Sequence, residues 1–185
     1  DLNHKKIFKK LFPICRSITG KGFEESLDIL NSASTLNKIK VKSGTKVLDW
    51  IIPDEWNIKN AFVKVNNKKI IDFKKHNLHL VNYSERVDKT ISYDELAKHL
   101  HYLPHIPNAI PYMHSYYKKY WGFCLTYNQF KKLNKRDKYK VKIDSSFKKG
   151  HLIYSDNLIP GKSKKEILIY TYLCHPQMAN HELSG

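Results

Sequence analysis

The sequence predicts an α/β domain interrupted by a β-rich insertion. Three observations predict it. Apolar residues recur at helical spacing near the amino end, and from Ile39 to about Val81 the pattern changes to short strand-like segments. Near the carboxyl end the run from Glu166 to Leu173 (EILIYTYL) is almost continuously apolar, as a strand buried on both faces must be. A length of 185 residues suits one medium domain or two small ones and is ample for a core. The first residue is not Met, and Gly185 closes no recognisable element, so the chain reads as a fragment of a longer protein.

Ile7, Phe8, Leu11 and Phe12 among lysines predict an amphipathic helix from about Asn3 to Phe12, stopped by Pro13. Thr19-Gly20-Lys21-Gly22 breaks the chain, and Phe23, Leu27, Ile29 and Leu30 mark a second helix to about Ser34. The segments IKVKS, KVLDWI, AFVKVN, KKIIDF and LHLV then follow, separated by Ser43-Gly44, Pro53-Asp54 and Asn66-Asn67. Their short, regular spacing predicts an antiparallel β subdomain with the asparagine pair at a hairpin tip. Trp50 and Trp56 bracket Pro53 and read as core or interdomain aromatics, with stacking on a sugar as the alternative.

Ser92-Tyr93-Asp94-Glu95 has the form of a capping box opening a helix to about Leu100. Thr126-Tyr127-Asn128-Gln129 repeats that form and opens a helix to about Leu133. Between them lies an irregular stretch, His99 to Tyr120, with Pro104, Pro107 and Pro111 and many His and Tyr residues. A loop of that length inside a compact chain normally serves a site or joins subdomains. The segments YKVKIDS and GHLIYSDN complete the strands before EILIYTYL.

The formal charge is +16 and the isoelectric point about 9.6, values that raise nucleic acid as a partner. Against it, only Arg16, Arg86 and Arg136 among the 33 basic residues are arginines, and lysine lacks the planar fork that reads phosphate and base edges. No nucleic-acid partner is therefore expected. Cys15, Cys124 and Cys174 are odd in number, far apart and form no Cys-x-x-Cys pair, which argues for reduced thiols and a cytoplasmic protein. No apolar run reaches the roughly 18 residues of a membrane span, and no membrane partner is expected.

Chemistry concentrates at the carboxyl end. Cys174-His175-Pro176 follows the apolar run, and His181, Glu182, Ser184 and Gly185 come next. A histidine at a strand end, with a second imidazole and a carboxylate within one loop, supplies nitrogen and oxygen donors suited to zinc. His-x5-His is no standard zinc spacing, so hydrogen-bonded histidines remain the alternative reading. His99, His101, His105 and His114 form a second, looser group, read as polar loop and helix-end residues. Asp49, Asp72 and Asp144 each lie at an apolar run and read as turn and strand-edge groups. Cys174 adjoins His175, but neighbours on a strand face opposite ways, which argues against a nucleophilic dyad. No Gly-rich phosphate loop or Ser elbow occurs.

LFPICRSITGKG (residues 11–22), SGTKVLDWIIPDEWNI (43–58), IIDFKKHNLHLVNYS (70–84), HLHYLPHIPNAIPY (99–112), SYYKKYWGFCL (115–125) and the terminal LCHPQMANHELSG occur in order along nearly the whole chain. In these blocks the sequence resembles the bacterial aminopeptidase-like proteins labelled polysaccharide biosynthesis proteins with an aminopeptidase-like domain. The resemblance implies a zinc-aminopeptidase-like mixed sheet with helices, interrupted by a small β-rich inserted domain and incomplete here at the C-terminus. It implies N-terminal helices over 1–38, the insertion over 39–108 and the aminopeptidase-like domain resumed over 109–185. The family's motif reads Cys-His-Pro, then Ala-Asn-Asp-Asn, then Ser-Gly, with the histidine and aspartate as zinc ligands. His175 matches the first; His181 stands at the aspartate's place and Glu182 at the following asparagine. One imidazole nitrogen cannot bridge two zinc ions as a carboxylate can, so the departure weighs against a two-zinc site.

The implied reaction is hydrolysis of a peptide or amide bond by metal-activated water on a peptide-like small substrate, with one or two zinc ions in the complete protein. The catalytic base is expected beyond Gly185, and the 185-residue chain alone is expected to be inactive. A non-catalytic binding or scaffold protein on the same fold is the competing expectation.

Overall fold

The structure, a computed structural model, describes residues 4–177. Its elements in chain order are α1 (His4–Leu11), α2 (Lys21–Asn31), β1 (Asn37–Lys42), β2 (Lys46–Val47), β3 (Trp50–Ile51), β4 (Glu55–Val65), β5 (Lys68–Asp72), a 3₁₀ turn (Asn77–His79) and β6 (Val87–Ser92). There follow α3 (Tyr93–Ala97), β7 (Leu100–His101), β8 (Phe123–Cys124), α4 (Tyr127–Phe130), β9 (Lys138–Lys148) and β10 (His151–Asp156). The chain divides into two compact units, residues 56–147 and the two flanking segments 1–55 and 148–185.

In the flanking unit, α1 ends before Pro13 as its sequence predicts, and Leu11 is its buried residue. Gly20 (φ 94°) breaks the chain, whereas Gly22 lies inside the first turn of α2. A β-carbon on Gly22 would stand 2.1 Å from the Cys15 carbonyl oxygen, so close approach of backbone requires glycine there. The expected β subdomain is not continuous here. β1 pairs antiparallel with β10, from Asn37 opposite Asp156 to Lys42 opposite His151, and not with the segments that follow it. KVLDWI is a tight hairpin rather than one strand, because Leu48 takes φ 54° and folds Val47 back opposite Trp50. The strand IKVKS, expected at the start of an insertion over 39–108, therefore belongs with the terminal segments.

The central unit is built on a four-stranded sheet in the order β5-β4-β9-β6. Asn66 and Asn67, at φ 47° and 61°, make the tip of the β4-β5 hairpin, as the asparagine pair predicts. β9 alternates faces, burying Tyr139, Val141, Ile143 and Ser145. Val87–Ser92, unread as a strand in the sequence, pairs along its length with β9. LHLV is not a strand either: the His76 ring accepts a hydrogen bond from the Leu78 amide and the chain winds into the 3₁₀ turn. Trp56 is core, donating its indole N–H to the Ser84 carbonyl at 3.1 Å and stacking on Tyr83, which leaves it no face for a sugar. Residues 109–147 pack within this unit.

Both capping sites open helices. Ser92 Oγ accepts from the Glu95 amide, but the Glu95 carboxylate turns to Lys98 and Lys89. Thr126 and Gln129 form the complete reciprocal box. α3 stops at Ala97 instead of reaching Leu100, because Leu100 and His101 pair parallel with Phe123 and Cys124.

The largest departure is the run Glu166–Leu173. It forms no strand among the described residues, and Ile167, Leu168, Ile169 and Tyr170 are 84–90% exposed. The expected buried central strand is thus absent from the described sheets. No described helix is long and apolar enough to cross a membrane.

Candidate functional site

Of the three expected metal ligands, His175 is described; His181 and Glu182 lie outside the described residues. His175 is placed by an arginine that the sequence reading passed over. Arg16, only 2% exposed, donates through Nη1 to the Leu11 carbonyl at 2.6 Å and through Nε to the His175 carbonyl at 3.1 Å. One guanidinium therefore ties the end of α1 to the Cys-His-Pro turn, and its fixed fork suits two carbonyls at once. Pro176 is fully buried beside it, so the backbone after His175 is held by a rigid ring as well.

Around the imidazole, the Tyr172 ring stands edge-on with centroids 5.5 Å apart. Cys174 Sγ lies 3.8 Å from His175 Nδ1 and 3.9 Å from Nε2. The expectation that Cys174 faces away from His175 fails because the segment is not a strand. Both distances lie at the long end of sulfur hydrogen bonding, a weak contact for a nucleophile and its base. The other thiols are held in the less reactive protonated form: burial pushes Cys15 up to about 12 against the opposing charge of Arg16, and burial likewise pushes Cys124 up to about 12.

A zinc site needs three or four converging donors. Among the described residues no group of three His, Cys, Asp or Glu side chains is placed to share a metal ion. One imidazole with a neighbouring thiol does not make such a site, so the described donors alone do not fit zinc.

The second histidine group stays dispersed in the central unit. His99 stacks on Trp121 with centroids 3.5 Å apart and bonds its carbonyl through Nδ1 at 2.8 Å. His101 Nε2 is 2.9 Å from the Tyr120 hydroxyl, His114 stacks on Tyr116, and His105 is exposed. The aspartates are likewise apart. Asp72 holds the turn after β5 through the Lys74 amide and Lys69, Asp144 lies 3.9 Å from Arg86, and Asp49 sits in the β2-β3 turn. Asp72 is shifted downward: burial opposes the charge, and bonds from Lys69 and the Lys74 amide outweigh it.

Arg16 carried a signal that the sequence could have given. It is one of three arginines in a lysine-rich chain and sits between apolar residues and a glycine break, where a solvated cation has no reason to be.

Residues 55–146 match the family model described as a domain of unknown function (DUF2172), bounds that follow the central unit to within one residue at each end. Over 181 residues, 97% of this chain, the sequence is 51% identical to a Clostridium acetobutylicum protein named for polysaccharide biosynthesis and an aminopeptidase-like domain. A crystal structure of a Clostridium acetobutylicum protein, named provisionally as a peptidase, superposes with a TM-score of 0.92 at 49% identity over 96% of this chain. The chain spans 41% of the first relative's length and 42% of the second's. Identity at about half of the positions over 97% of this chain, with the same backbone, makes it a homologue of bacterial proteins named for an aminopeptidase-like domain or as a peptidase.

Proposed function

We propose that this chain is the front portion of a zinc-dependent aminopeptidase-like hydrolase that cleaves peptide bonds by metal-activated water, in a cytoplasmic protein linked to polysaccharide biosynthesis. Support comes from the names of the two relatives and, within this chain, from one observation: the Cys174-His175-Pro176 turn is fixed from behind by the buried guanidinium of Arg16. A histidine held only by a solvated loop would spend its affinity on ordering that loop. A carbonyl clamped by Arg16 and a buried Pro176 place His175 in advance.

In this reading His175, with His181 and Glu182, would hold zinc. When bound, zinc polarises a carbonyl and lowers the pKa of a water toward 7. The residues of this chain supply an imidazole and its backbone anchor; a peptide-like substrate is the expected partner.

The test is competition between the chain and a chromogenic chelator for Zn²⁺, on the 185-residue chain and on the chain extended to its relatives' length. Tight binding lost in His175→Ala supports the reading. Absence of zinc from the extended protein favours the alternative, a non-catalytic binder on the same fold. That alternative draws on His181 standing where the family has aspartate.

A further inference from the structure

The long proline-punctuated stretch from His99 to Tyr120 lines a cavity. In the central unit a cavity of about 290 Å³ is lined by Leu100, His101, Tyr102, Pro111, Met113 and Phe130, among others. Its size is at the lower edge of small-molecule sites and suits one branched or aromatic side chain rather than a large ligand. Tyr102 and Phe130 form one wall, stacked with centroids 4.0 Å apart, and Tyr127 extends the stack at 5.5 Å from Tyr102. Pro111 comes from the irregular stretch, where its fixed φ stiffens the backbone, and Met113 supplies an adaptable apolar side chain.

Two polar groups line this apolar space. The Tyr120 hydroxyl lies 2.9 Å from His101 Nε2 and 3.5 Å from the Lys98 carbonyl; when it donates to the carbonyl it receives the Nε2–H. That tautomer leaves Nδ1 an acceptor. Burial, then the nearby charges of His99 and Lys118, hold the His101 pKa below its ordinary value, so the ring is neutral at pH 7. The Tyr102 hydroxyl makes no hydrogen bond among the described residues and is the available donor.

Two lysines stand beside aromatic rings that hold residues of the cavity's wall. Its lining includes no carboxylate. The Lys118 ammonium lies 5.7 Å from the Tyr120 ring that holds His101, and that of Lys131 lies 5.1 Å from the Tyr127 ring stacked on Tyr102. Neither lysine has an ion-pair partner among the described residues, whereas Glu95, on the helix that lends Ala97 to the lining, is engaged by Lys98 and Lys89.

We propose that this cavity binds the carboxyl-terminal apolar residue of a short peptide. The side chain lies against Tyr102 and Phe130, and the amide N–H meets His101 Nδ1. The carboxylate takes the Tyr102 hydroxyl and the field of Lys118 and Lys131. A neutral imidazole accepts an amide proton, a phenol donates to a carboxylate, and unneutralised lysines favour an anion over a neutral ligand. This site belongs to the central unit alone and stands whether or not the chain takes part in hydrolysis.

The experiment is NMR titration of the 185-residue chain with three probes, N-acetyl-leucine, N-acetyl-leucinamide and 4-methylpentanoate, following the His101 and Tyr102 ring signals. N-acetyl-leucine is expected to bind about threefold tighter than the amide, the worth of an exposed charge interaction, with the gap closing at high salt. It should also bind tighter than 4-methylpentanoate, which lacks the N–H. Tyr102→Phe and Lys118→Ala change only a hydroxyl and an exposed ammonium, so both should fold, and each should lose about half or more of the preference for acid over amide. Equal binding of acid and amide overturns the carboxylate assignment. Equal binding of 4-methylpentanoate overturns the peptide assignment, and no shift at either ring with any probe overturns the site.

Discussion

Strand β9 and the run Glu166–Leu173 both carry β-branched and aromatic residues and have opposite fates. In β9 the side chains of Tyr139, Val141 and Ile143 are within 1% of complete burial, between β4 and β6. In the later run Ile167 to Tyr170 are 84–90% exposed, although the run is more apolar and its β-branched and aromatic residues favour extended chain at least as strongly. The difference lies in partners. β9 offers its amides and carbonyls to strands on both sides, one of them from some eighty residues earlier in the chain, and its alternation matches a sheet with one packed face. Composition states how many faces a strand must cover; it does not state which polypeptide covers them.

The sharpest way to break the comparison is to place a carboxylate in each segment. Val141→Asp puts an unpaired charge where exposure is 0%, and about 3–5 kcal/mol of stability should be lost, read as a fall in the urea midpoint. A loss under about 1 kcal/mol would mean that β9 is not the core of its unit.

Gly22→Ala tests the flanking unit in the same terms. Alanine favours helix by about 1 kcal/mol, yet its β-carbon would stand 2.1 Å from the Cys15 carbonyl, and backbone cannot yield as a side-chain tip can. Overpacking of this kind costs about 1–3 kcal/mol, so net destabilisation is expected in thermal melts. A stabilised variant would show that α2 can move away from Cys15.

A smaller effect is expected from pH in the central unit. Burial lowers the pKa of His79, only partly offset by its bond to the Cys124 carbonyl and by Asp72. The unfolded state then binds more protons than the folded one, so stability is full above about pH 6.5 and declines as pH falls from there toward the lowered folded value. His79→Gln, which keeps a hydrogen-bonding side chain without titrating, should flatten that part of the stability profile. An unchanged slope would assign it to other groups.

Local features were legible to the extent that their cause was local. The Pro13 stop, the Asn66-Asn67 tip and the Thr126 capping box each follow from residues within four positions, and each is present. Features set by distant partners were not legible. The β1-β10 pairing joins residues more than a hundred positions apart, and KVLDWI reads equally well as a strand or as a hairpin until Leu48 adopts its positive φ. The candidate site divides the same way. His175 could be picked out from Cys-His-Pro, but its anchor could not, because Arg16 lies 159 positions away. His101 could be picked out as a histidine and not as a cavity wall, since its neighbours Met113 and Phe130 are brought in by the fold.

The smallest effect is expected at Leu168, where Asp replaces a side chain that is already 85% exposed. A surface substitution away from caps and buried groups changes stability by no more than about 0.5 kcal/mol, so Leu168→Asp should leave the urea midpoint of the 185-residue chain unmoved. The same change in the chain extended to its relatives' length separates two explanations of the exposed run. If added polypeptide covers Leu168 as β4 and β6 cover Val141, the extended protein should lose about 3 kcal/mol or more, and the amides of 166–173 should become protected from hydrogen exchange. If the extended protein also tolerates the carboxylate, the run is a surface in its own right, and its apolar pattern has another cause than burial in a sheet.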